Sequence, residues 1–152
     1  MTDRERRGRE PWGNPGFLLW RVTLRWQRAV AGALRPLGLT HPQFVVLAGA
    51  WWLGRDGRPP SQRELAEHAG MDAMTTSQVA RTLEAKRLLR REQDQRDTRV
   101  RRLLVTPEGR GLAARAVEAV ESVDRDYFGA VPDGPAFVDA LLSLAPPDPG
   151  ER

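Results

Sequence analysis

Hydrophobic residues recur at helical spacing over most of the chain. In the first predicted helix, 17–37, apolar residues occupy positions 17, 20, 24, 31 and 34 and also positions 18, 22, 26, 30 and 33. More than one face of this helix is therefore apolar. Such a helix needs two packing partners, which we expect to be the core of its own domain and a second subunit.

Helix caps and helix breakers predict the remaining elements. Thr40 is the expected N-cap of a second helix, and Ser61 forms a capping box with Glu64 at the start of a third. Gly70 ends the third helix, and Thr106 begins a long helix with a proline in its first turn. The predicted helices span 17–37, 41–53, 61–69, 72–87, 106–128 and 136–145, and the predicted strands span 88–92 and 100–105.

Length and composition limit the class of protein. The chain has 152 residues, 40% of them hydrophobic, which is enough for one core. It has no run of about 18 apolar residues and no signal-type segment, so we expect a cytoplasmic protein with no membrane partner. It has no cysteine, which excludes disulfides and cysteine nucleophiles. Because no catalytic triad and no phosphate-cradling glycine loop are present, we expect neither enzymatic activity nor a cofactor.

Positive charge is concentrated in one part of the chain. Residues 81–102 carry nine Lys/Arg and four Asp/Glu, a net charge of +5, whereas residues 103–152 carry a net charge of −5. A local basic stripe on a nearly neutral protein is typical of proteins that bind a polyanion. A solvated charged surface would have the same composition.

Residues 61–87, which lead into this basic stripe, have the pattern of a helix-turn-helix. Two predicted helices are joined by a short turn that contains Gly70, and the second is rich in Thr, Ser and Gln. Short polar side chains in its first turns would allow a close approach to base edges in the major groove. The predicted groove-facing residues are Met74, Thr75, Thr76, Gln78 and Arg81. The alternative is the ordinary solvent face of an amphipathic helix.

The predicted hairpin tip carries two interlocking Asp-x-Arg pairs. Asp94 is two residues before Arg96, and Asp97 is two residues before Arg99, so the members of each pair leave the same face of an extended chain. An Asp beside an Arg limits its rotamers and prepares it to enter a narrow, electronegative minor groove. A surface salt-bridge ladder would look similar. Arg101 and Arg102 would add phosphate contacts on the returning strand.

These features together resemble the winged helix-turn-helix of MarR-family transcriptional regulators. The resemblance is carried by the SQxELA opening of SQRELA, by TLEAKRLL, by the wing DQRDTR and by LLVTPEG. It implies a homodimer held by N- and C-terminal helices, with recognition helices in successive major grooves of palindromic double-stranded DNA. The family usually has Gly at the position of Arg87. This departure puts in question the turn that follows the recognition helix, and the arginine would add a phosphate contact.

The resemblance also assigns roles to individual residues. Ser61 and Gln62 would contact the DNA backbone. The residues implied to face the major groove are Thr75, Ser77, Gln78 and Arg81. Arg96 or Arg99 would enter the minor groove, with Asp97 holding Arg99.

Many similar regulators release DNA when a small aromatic anion binds between the dimer helices and the reading head. The residues that could line such a crevice are Trp20, Trp26, Trp51 and Trp52, with Arg21, Arg25 and His41 available for the anion. Clustered tryptophans are also common core residues. We expect no metal site, because His41 and His68 have no third ligand nearby.

The sequence therefore predicts a mainly α fold with a small β-wing, a winged helix-turn-helix flanked by dimerisation helices. Its predicted parts are a mobile arm (1–15), dimerisation helices (16–38 and 107–145), the DNA-binding domain (39–106) and a disordered tail (146–152). The predicted function is a DNA-binding regulator, most simply a repressor. Two alternatives stay open: another winged-helix family, and a ligand-binding or protein-interaction module without specific DNA recognition.

Overall fold

The computed structural model describes residues 12–145, which form helices and one small sheet. In chain order, the elements are α1 (Pro15–Leu34), a 3-10 helix (Arg35–Leu37), α2 (His41–Leu53), α3 (Gln62–Ala69), α4 (Ala73–Ala85), β1 (Leu89–Gln93), β2 (Arg101–Val105), α5 (Pro107–Phe128) and α6 (Gly134–Leu144). The predicted fold class, mainly α with a two-stranded wing, is confirmed. The domain boundaries stay a prediction.

The observed elements match the predicted ones in type and differ at their ends. The first helix changes to a 3-10 turn at Arg35, because Pro36 has no backbone N–H to continue the α-helical bonding. At its other end, Asn14 caps α1 by accepting a hydrogen bond from the Phe17 amide (2.9 Å), so the helix begins inside the predicted arm. The rest of the arm (1–11) and the tail (146–152) lie outside the described residues.

The core forms around α2, which contacts α1, α3, α4, α5 and β2. The largest fully buried apolar side chains of the core come from six different elements: Leu34, Leu47, Leu65, Leu83, Leu89 and Leu103. Val30 of α1 and Val120 of α5 extend this cluster away from the sheet. One continuous core therefore joins the helix-turn-helix to the long flanking helices.

The sheet is a short antiparallel hairpin in which Leu89 pairs with Val105 and Gln93 pairs with Arg101. A third segment adds to its outer edge. Ser61 forms an isolated bridge with Arg102, and the Leu103 amide donates to the Pro60 carbonyl (2.9 Å). The hairpin is therefore fastened to the start of α3.

Three helix ends close with the same turn, centred on Gly38, Gly70 and Arg87. These residues have φ angles of 69°, 61° and 60°, in the left-handed region that favours glycine. At the third turn, the Leu88 amide donates to the Leu83 carbonyl (2.9 Å), and both leucines are buried. Arg87 therefore occupies a glycine position, where its Cβ is unfavourable.

The end of this third turn is joined to the start of α5. The Thr106 hydroxyl donates to the Arg87 carbonyl (2.7 Å), and the Thr106 amide donates to the Leu88 carbonyl (3.1 Å). Gly109 lies so close to this turn that a Cβ there would overlap the carbonyl oxygen of Leu88. The helix that follows the wing thus rests directly on the end of α4.

No helix among residues 12–145 has both the length and the apolar character needed to cross a membrane. The helices α1 and α6 nevertheless expose large apolar side chains. Those of α1 are Leu18, Leu19, Trp20 and Val22, and those of α6 are Val138, Leu141, Leu142 and Leu144. No residue of α6 is buried; Phe137 holds this helix against Phe128, with ring centroids 5.7 Å apart.

Candidate nucleic-acid interface

Helix α4 begins with a tightly bonded cap. The Asp72 carboxylate accepts hydrogen bonds from the Thr75 amide (2.8 Å) and from the Thr75 hydroxyl (2.6 Å). The hydroxyl bond, followed by the amide bond, lowers the pKa of Asp72. The cap fixes the Thr75 side chain at the first turn of the helix and uses its hydroxyl proton, so the side chain has its methyl group and the acceptor lone pairs of its oxygen left for a ligand.

One predicted groove-facing residue lies in the core instead. Thr76 is 0% exposed, and its hydroxyl donates to the Asp72 carbonyl (2.9 Å). It occupies the same helix face as Ala80 and Leu83, which are also buried. The prediction that Thr76 contacts DNA is therefore wrong, because this face of α4 packs on the domain.

The opposite face of α4 presents an exposed stripe formed by Met74, Gln78 and Arg81, which are spaced at i, i+4 and i+7. Ser77 borders the stripe, and its hydroxyl accepts a hydrogen bond from Arg81 Nη2 (3.2 Å). Arg81 Nε also donates to the Ser77 carbonyl (3.3 Å). The exposed stripe is thus polar and partly pre-arranged, with an apolar methionine at its N-terminal end.

The hairpin tip, residues 94–100, carries the predicted Asp97–Arg99 pair. Arg99 Nε lies 3.2 Å from Asp97 Oδ1, and the Arg99 amide also donates to this oxygen (3.0 Å). The Arg99 side chain is 90% exposed. Its guanidinium is therefore steered by the carboxylate and open to solvent; Arg96 and Arg101 are exposed beside it.

The second predicted pair is not formed, because the tip is a turn and not an extended chain. Asp94 accepts hydrogen bonds from the backbone amides of Arg96 (2.8 Å) and Asp97 (3.1 Å), and the side chain of Arg96 is not its partner. Asp94 instead pairs with Arg102, whose Nε is 2.7 Å from Asp94 Oδ2. Asp94 shapes the tip and is not a brace for Arg96.

Arg102 has a structural position that the sequence did not indicate. Its side chain is 17% exposed, and besides Asp94 it donates to Glu64 (3.0 Å) and to the Pro59 carbonyl (3.2 Å). Glu64 is also the capping-box residue that accepts from the Ser61 amide (2.6 Å). The expected phosphate contact of Arg102 is therefore wrong: this side chain links the hairpin tip to the start of α3.

These contacts change the acidity of both carboxylates. Hydrogen bonding from Arg102, followed by the amides of Arg96 and Asp97, lowers the pKa of Asp94 to about 2. Burial raises the pKa of Glu64, but the hydrogen bonds from Ser61 and the charges of Arg58 and Arg102 bring it below its ordinary value. Both carboxylates are thus ionised at neutral pH and hold the guanidinium between them.

The start of α3 lies beside this network. The Ser61 hydroxyl accepts from the Glu64 amide (3.1 Å) as the N-cap, and Ser61 is half-buried. Gln62, the first residue of the helix, is also half-buried. Both residues keep partial access to solvent, as a contact with a DNA backbone requires.

The predicted ligand-binding residues do not form one cluster within the chain. Trp20 is 62% exposed on α1, and Trp52 is exposed with Arg55 stacked on its ring (4.1 Å). Trp51 lines a cavity to which Trp20, Arg21, Arg25 and His41 do not contribute. Trp51 therefore does not share this cavity with these four residues, and their role in ligand binding stays a prediction.

His41 belongs to a separate group between α1, α2 and α5. Its ring packs edge-on against Trp26 (5.1 Å), whose indole N–H donates to Asp124 (2.7 Å). Burial lowers the pKa of His41, and the charge of Asp124 opposes this shift. Among residues 12–145, no group of three or more His, Cys, Asp or Glu side chains could hold a metal ion.

Comparisons with known proteins agree with this arrangement. The sequence model of the MarR family matches residues 39–100. The chain is similar to YdcH of Bacillus subtilis, an uncharacterized HTH-type transcriptional regulator, with 36% identity over 86% of this chain and 89% of that protein. It is also similar to the HTH-type transcriptional repressor Rv2887 of Mycobacterium tuberculosis, with 35% identity over 72% of this chain and 76% of that protein.

Solved structures of CouR, one of them from Rhodococcus jostii RHA1, have the same architecture. The form bound to p-coumaroyl-CoA superposes with a TM-score of 0.77 and 32% identity, covering 88% of this chain and 93% of CouR. CouR bound to a 23-mer DNA duplex superposes with a TM-score of 0.73 and 28% identity, covering 91% and 94%. The likeness therefore extends over the flanking helices as well as the helix-turn-helix.

Proposed function

The chain belongs to the MarR family of transcriptional regulators, and from this premise we propose that it acts as a homodimeric repressor on a palindromic DNA operator. The observation that carries the proposal is the pairing of two exposed basic elements on one domain. The exposed stripe of α4 ends in Arg81, and the hairpin tip presents Arg99 beside Asp97. Repression is supported by the resemblance to the repressor Rv2887.

The homodimer is supported by the apolar side chains that α1 and α6 leave exposed. Trp20, Leu141 and Leu144 are among the exposed large hydrophobic residues, and they lie on the first and last helices. Several large apolar side chains exposed on one helix mark a protein interface. Pairing through these helices would place two copies of α4 in successive major grooves, about 34 Å apart.

In the proposed complex, α4 enters the major groove and the hairpin tip enters the minor groove. Gln78 can form two hydrogen bonds with adenine, and Arg81 can do so with guanine. Arg99, steered by Asp97, would insert into the minor groove, where the potential is most negative. Arg101, Ser61 and Gln62 would contact phosphates and fix the register.

Operator binding by matched variants tests this proposal. We expect Arg99→Ala to weaken operator binding by about 1 to 3 kcal/mol. Gln78→Ala should relax base preference more than it reduces total affinity, because Gln78 is assigned to a base edge. Arg115→Ala, an exposed arginine of α5, is the control and should bind as the unmodified protein does. The assay is a salt titration with operator and random duplexes.

Three outcomes would contradict the proposal. Equal affinity for a palindrome and for random DNA at every salt concentration would show that recognition is not sequence-specific. Duplex binding that does not weaken as the salt concentration rises would show that the protein makes no phosphate contacts. A monomer by sedimentation at micromolar concentration would contradict the homodimer.

We further propose that a small aromatic anion releases the protein from DNA. CouR, a structural relative, is seen bound to p-coumaroyl-CoA. On this chain, Arg21 and Arg25 are exposed one turn apart on α1, next to the exposed Trp20. In a dimer, the partner subunit could complete a crevice around them. The proposal should be dropped if a panel of phenolic acids changes neither operator affinity nor thermal stability.

A further inference from the structure

The single lysine of the chain lies at the end of α4 and bonds to a distant part of the sequence. Lys86 directly follows the last residue of α4 and is the only lysine among the 24 Lys and Arg residues. Its Nζ donates to the Gly38 carbonyl (2.7 Å) and to Gln43 Oε1 (3.1 Å), which are 48 and 43 residues earlier in the chain. These two hydrogen bonds, the Lys86 contact, join the end of α4 to the segment that leads from α1 into α2.

Both acceptors belong to one corner of the backbone, the α1–α2 corner (35–43), whose geometry is fixed by its own hydrogen bonds. Gly38 closes the 3-10 helix in the left-handed conformation, with a φ of 69°. Gln43 Oε1 accepts from the Thr40 amide (3.2 Å), and the Thr40 hydroxyl accepts from the Gln43 amide (3.3 Å), which is the capping box of α2. The oxygen that completes this cap is therefore also an acceptor for Lys86.

The simplest role for a cation in the basic stripe would be a phosphate contact, and the geometry of Lys86 differs from that role. Each residue turns an α-helix by about 100°, so Lys86 lies about 140° around the axis from Arg81. Its ammonium is bonded to two uncharged oxygens of the α1–α2 corner, which uses two of its three N–H donors. The Lys86 contact is thus internal to the domain.

The Lys86 contact restricts α4 in a way that its core packing does not. Ala80 and Leu83 bury one face of α4, but apolar contacts are not directional. The end of α4 is also joined to α5, where the Thr106 amide donates to the Leu88 carbonyl (3.1 Å). A helix can rotate about one polar attachment, whereas a second attachment to a different element restricts this rotation. The Lys86 contact is that second attachment.

We propose that Lys86 is a positioning residue for operator recognition, which fixes the angle at which α4 meets DNA without contacting the DNA itself. The α1–α2 corner follows α1, one of the helices proposed above to pair the subunits. The same contact in both subunits of a dimer would therefore set the distance between the two copies of α4. This inference rests on the proposed function and adds to it the residue that sets the spacing of the two reading helices.

Binding of operator and random duplexes tests the effect on DNA, with an operator that the unmodified chain selects from random-sequence duplexes. Lys86→Met keeps an unbranched apolar side chain and removes the donors. We expect it to weaken operator binding about tenfold, because the binding-competent angle of α4 would be populated about one tenth of the time. Binding of random DNA should change much less.

The salt dependence separates positioning from a phosphate contact. Losing one phosphate contact makes the slope of log K against log salt concentration shallower by about 0.9. We expect Lys86→Met to keep the slope of the unmodified chain. Arg101→Met is the comparison variant, because Arg101 is proposed to contact a phosphate, and it should weaken binding to both duplexes and make the slope shallower.

The spacing of the operator separates positioning from a general loss of structure. One base pair inserted between the half-sites moves them apart by about 3.4 Å and rotates one against the other by about 34°. This insertion should weaken binding by the unmodified chain more than binding by Lys86→Met, because α4 without the Lys86 contact can adapt its angle. A variant that is merely less stable would lose affinity for both operators by the same factor.

Thermal melting without DNA tests the Lys86 contact itself. Gln43→Glu keeps the capping box of α2, since glutamate caps as glutamine does, and gives Lys86 a charged acceptor. We expect this substitution to raise the Tm by about 1 to 3 °C more in the unmodified chain than in Lys86→Met. The comparison of the two backgrounds cancels the effect of the new charge on the helix dipole of α2.

Three results would overturn the proposal. Lys86→Met could weaken both duplexes by the same factor with a shallower salt slope, which would identify a phosphate contact. It could leave operator affinity or spacing preference unchanged, or Gln43→Glu could shift the Tm equally in both backgrounds. If the unmodified chain selects no operator, the proposed function fails and the positioning role fails with it. A failure of positioning alone differs from this, because the unmodified chain would then still prefer its operator.

Discussion

Replacing Arg87 with glycine should stabilise the protein. Arg87 has a φ of 60° at the centre of the turn that ends α4, and the two equivalent turns in this chain use Gly38 and Gly70. An L-residue with a Cβ loses about 1 to 2 kcal/mol in this conformation. The greater freedom of glycine in the unfolded chain offsets about 0.5 to 1 kcal/mol of that gain. We therefore expect the backbone effect of glycine at this position, taken without the change in charge, to raise the free energy of unfolding by about 1 kcal/mol.

The matched control is Arg87→Ala, because it removes the same charge and keeps the Cβ. Arg87 lies just beyond the C-terminus of α4, where a positive charge contributes about 0.3 to 1 kcal/mol through the helix dipole. Both variants lose this contribution, so the difference between Gly and Ala isolates the backbone effect. Glycine should exceed alanine by about 1 kcal/mol.

Urea denaturation and thermal melting at one fixed protein concentration measure this difference. For a chain of this length, about 1 kcal/mol corresponds to a change in Tm of about 3 °C. The reasoning would be refuted if Arg87→Gly were no more stable than Arg87→Ala. A lower affinity of both variants for DNA, with a shallower salt dependence, would in addition show that Arg87 contacts a phosphate.

Two further predictions concern the joint with α5 and the hairpin tip. Gly109→Ala should lower the free energy of unfolding by about 3 kcal/mol, because the added Cβ would overlap the Leu88 carbonyl. Gly111→Ala is the control and should be neutral or stabilising, because Gly111 has open space around it. Equal effects of the two substitutions in thermal melts would contradict the close contact. The pKa of Asp94 is lowered to about 2 in the folded protein. The stabilisation of the fold by the ionised Asp94 is therefore complete above the ordinary pKa near 4 and is lost as the pH falls through about 2. Asp94→Asn should therefore show a weaker loss of stability between pH 4 and pH 2 in urea titrations, and identical slopes for the two proteins would count against the Arg102 pairing.

The sequence was sufficient to predict the order and type of the elements. Helical spacing, the Ser61–Glu64 capping box and the turn glycines are local signals, and local geometry determines their outcome. The Asp97–Arg99 pair was also predicted correctly. The Asp94–Arg96 pair has the same spacing and was wrong, because the tip is a turn in which Asp94 accepts from two backbone amides and from Arg102. The assignment to the MarR family excludes the alternative of another winged-helix family.

The errors arose where the partner is distant or where a polar residue is buried. Thr76 was interpreted as a DNA contact because of its hydroxyl, although its spacing with Ala80 and Leu83 marks an inward face. Its hydroxyl bonds to the Asp72 carbonyl, which satisfies the group without solvent. Arg102 was missed because its partner Glu64 is 38 residues away, and no local pattern indicates such a contact.

The contact between the end of α4 and the start of α5 also has a mechanical consequence. Helix α5 has 22 residues, so it is about 33 Å long. Because its first turn rests on Leu88, α5 carries the end of α4 at its N-terminus and can act as a lever for it. A tilt of about 6° around the Phe128 end would carry α4 by about 3.4 Å, one base-pair step along DNA. A rotation this small at the distal end of the lever would be enough to move α4 out of register with its operator.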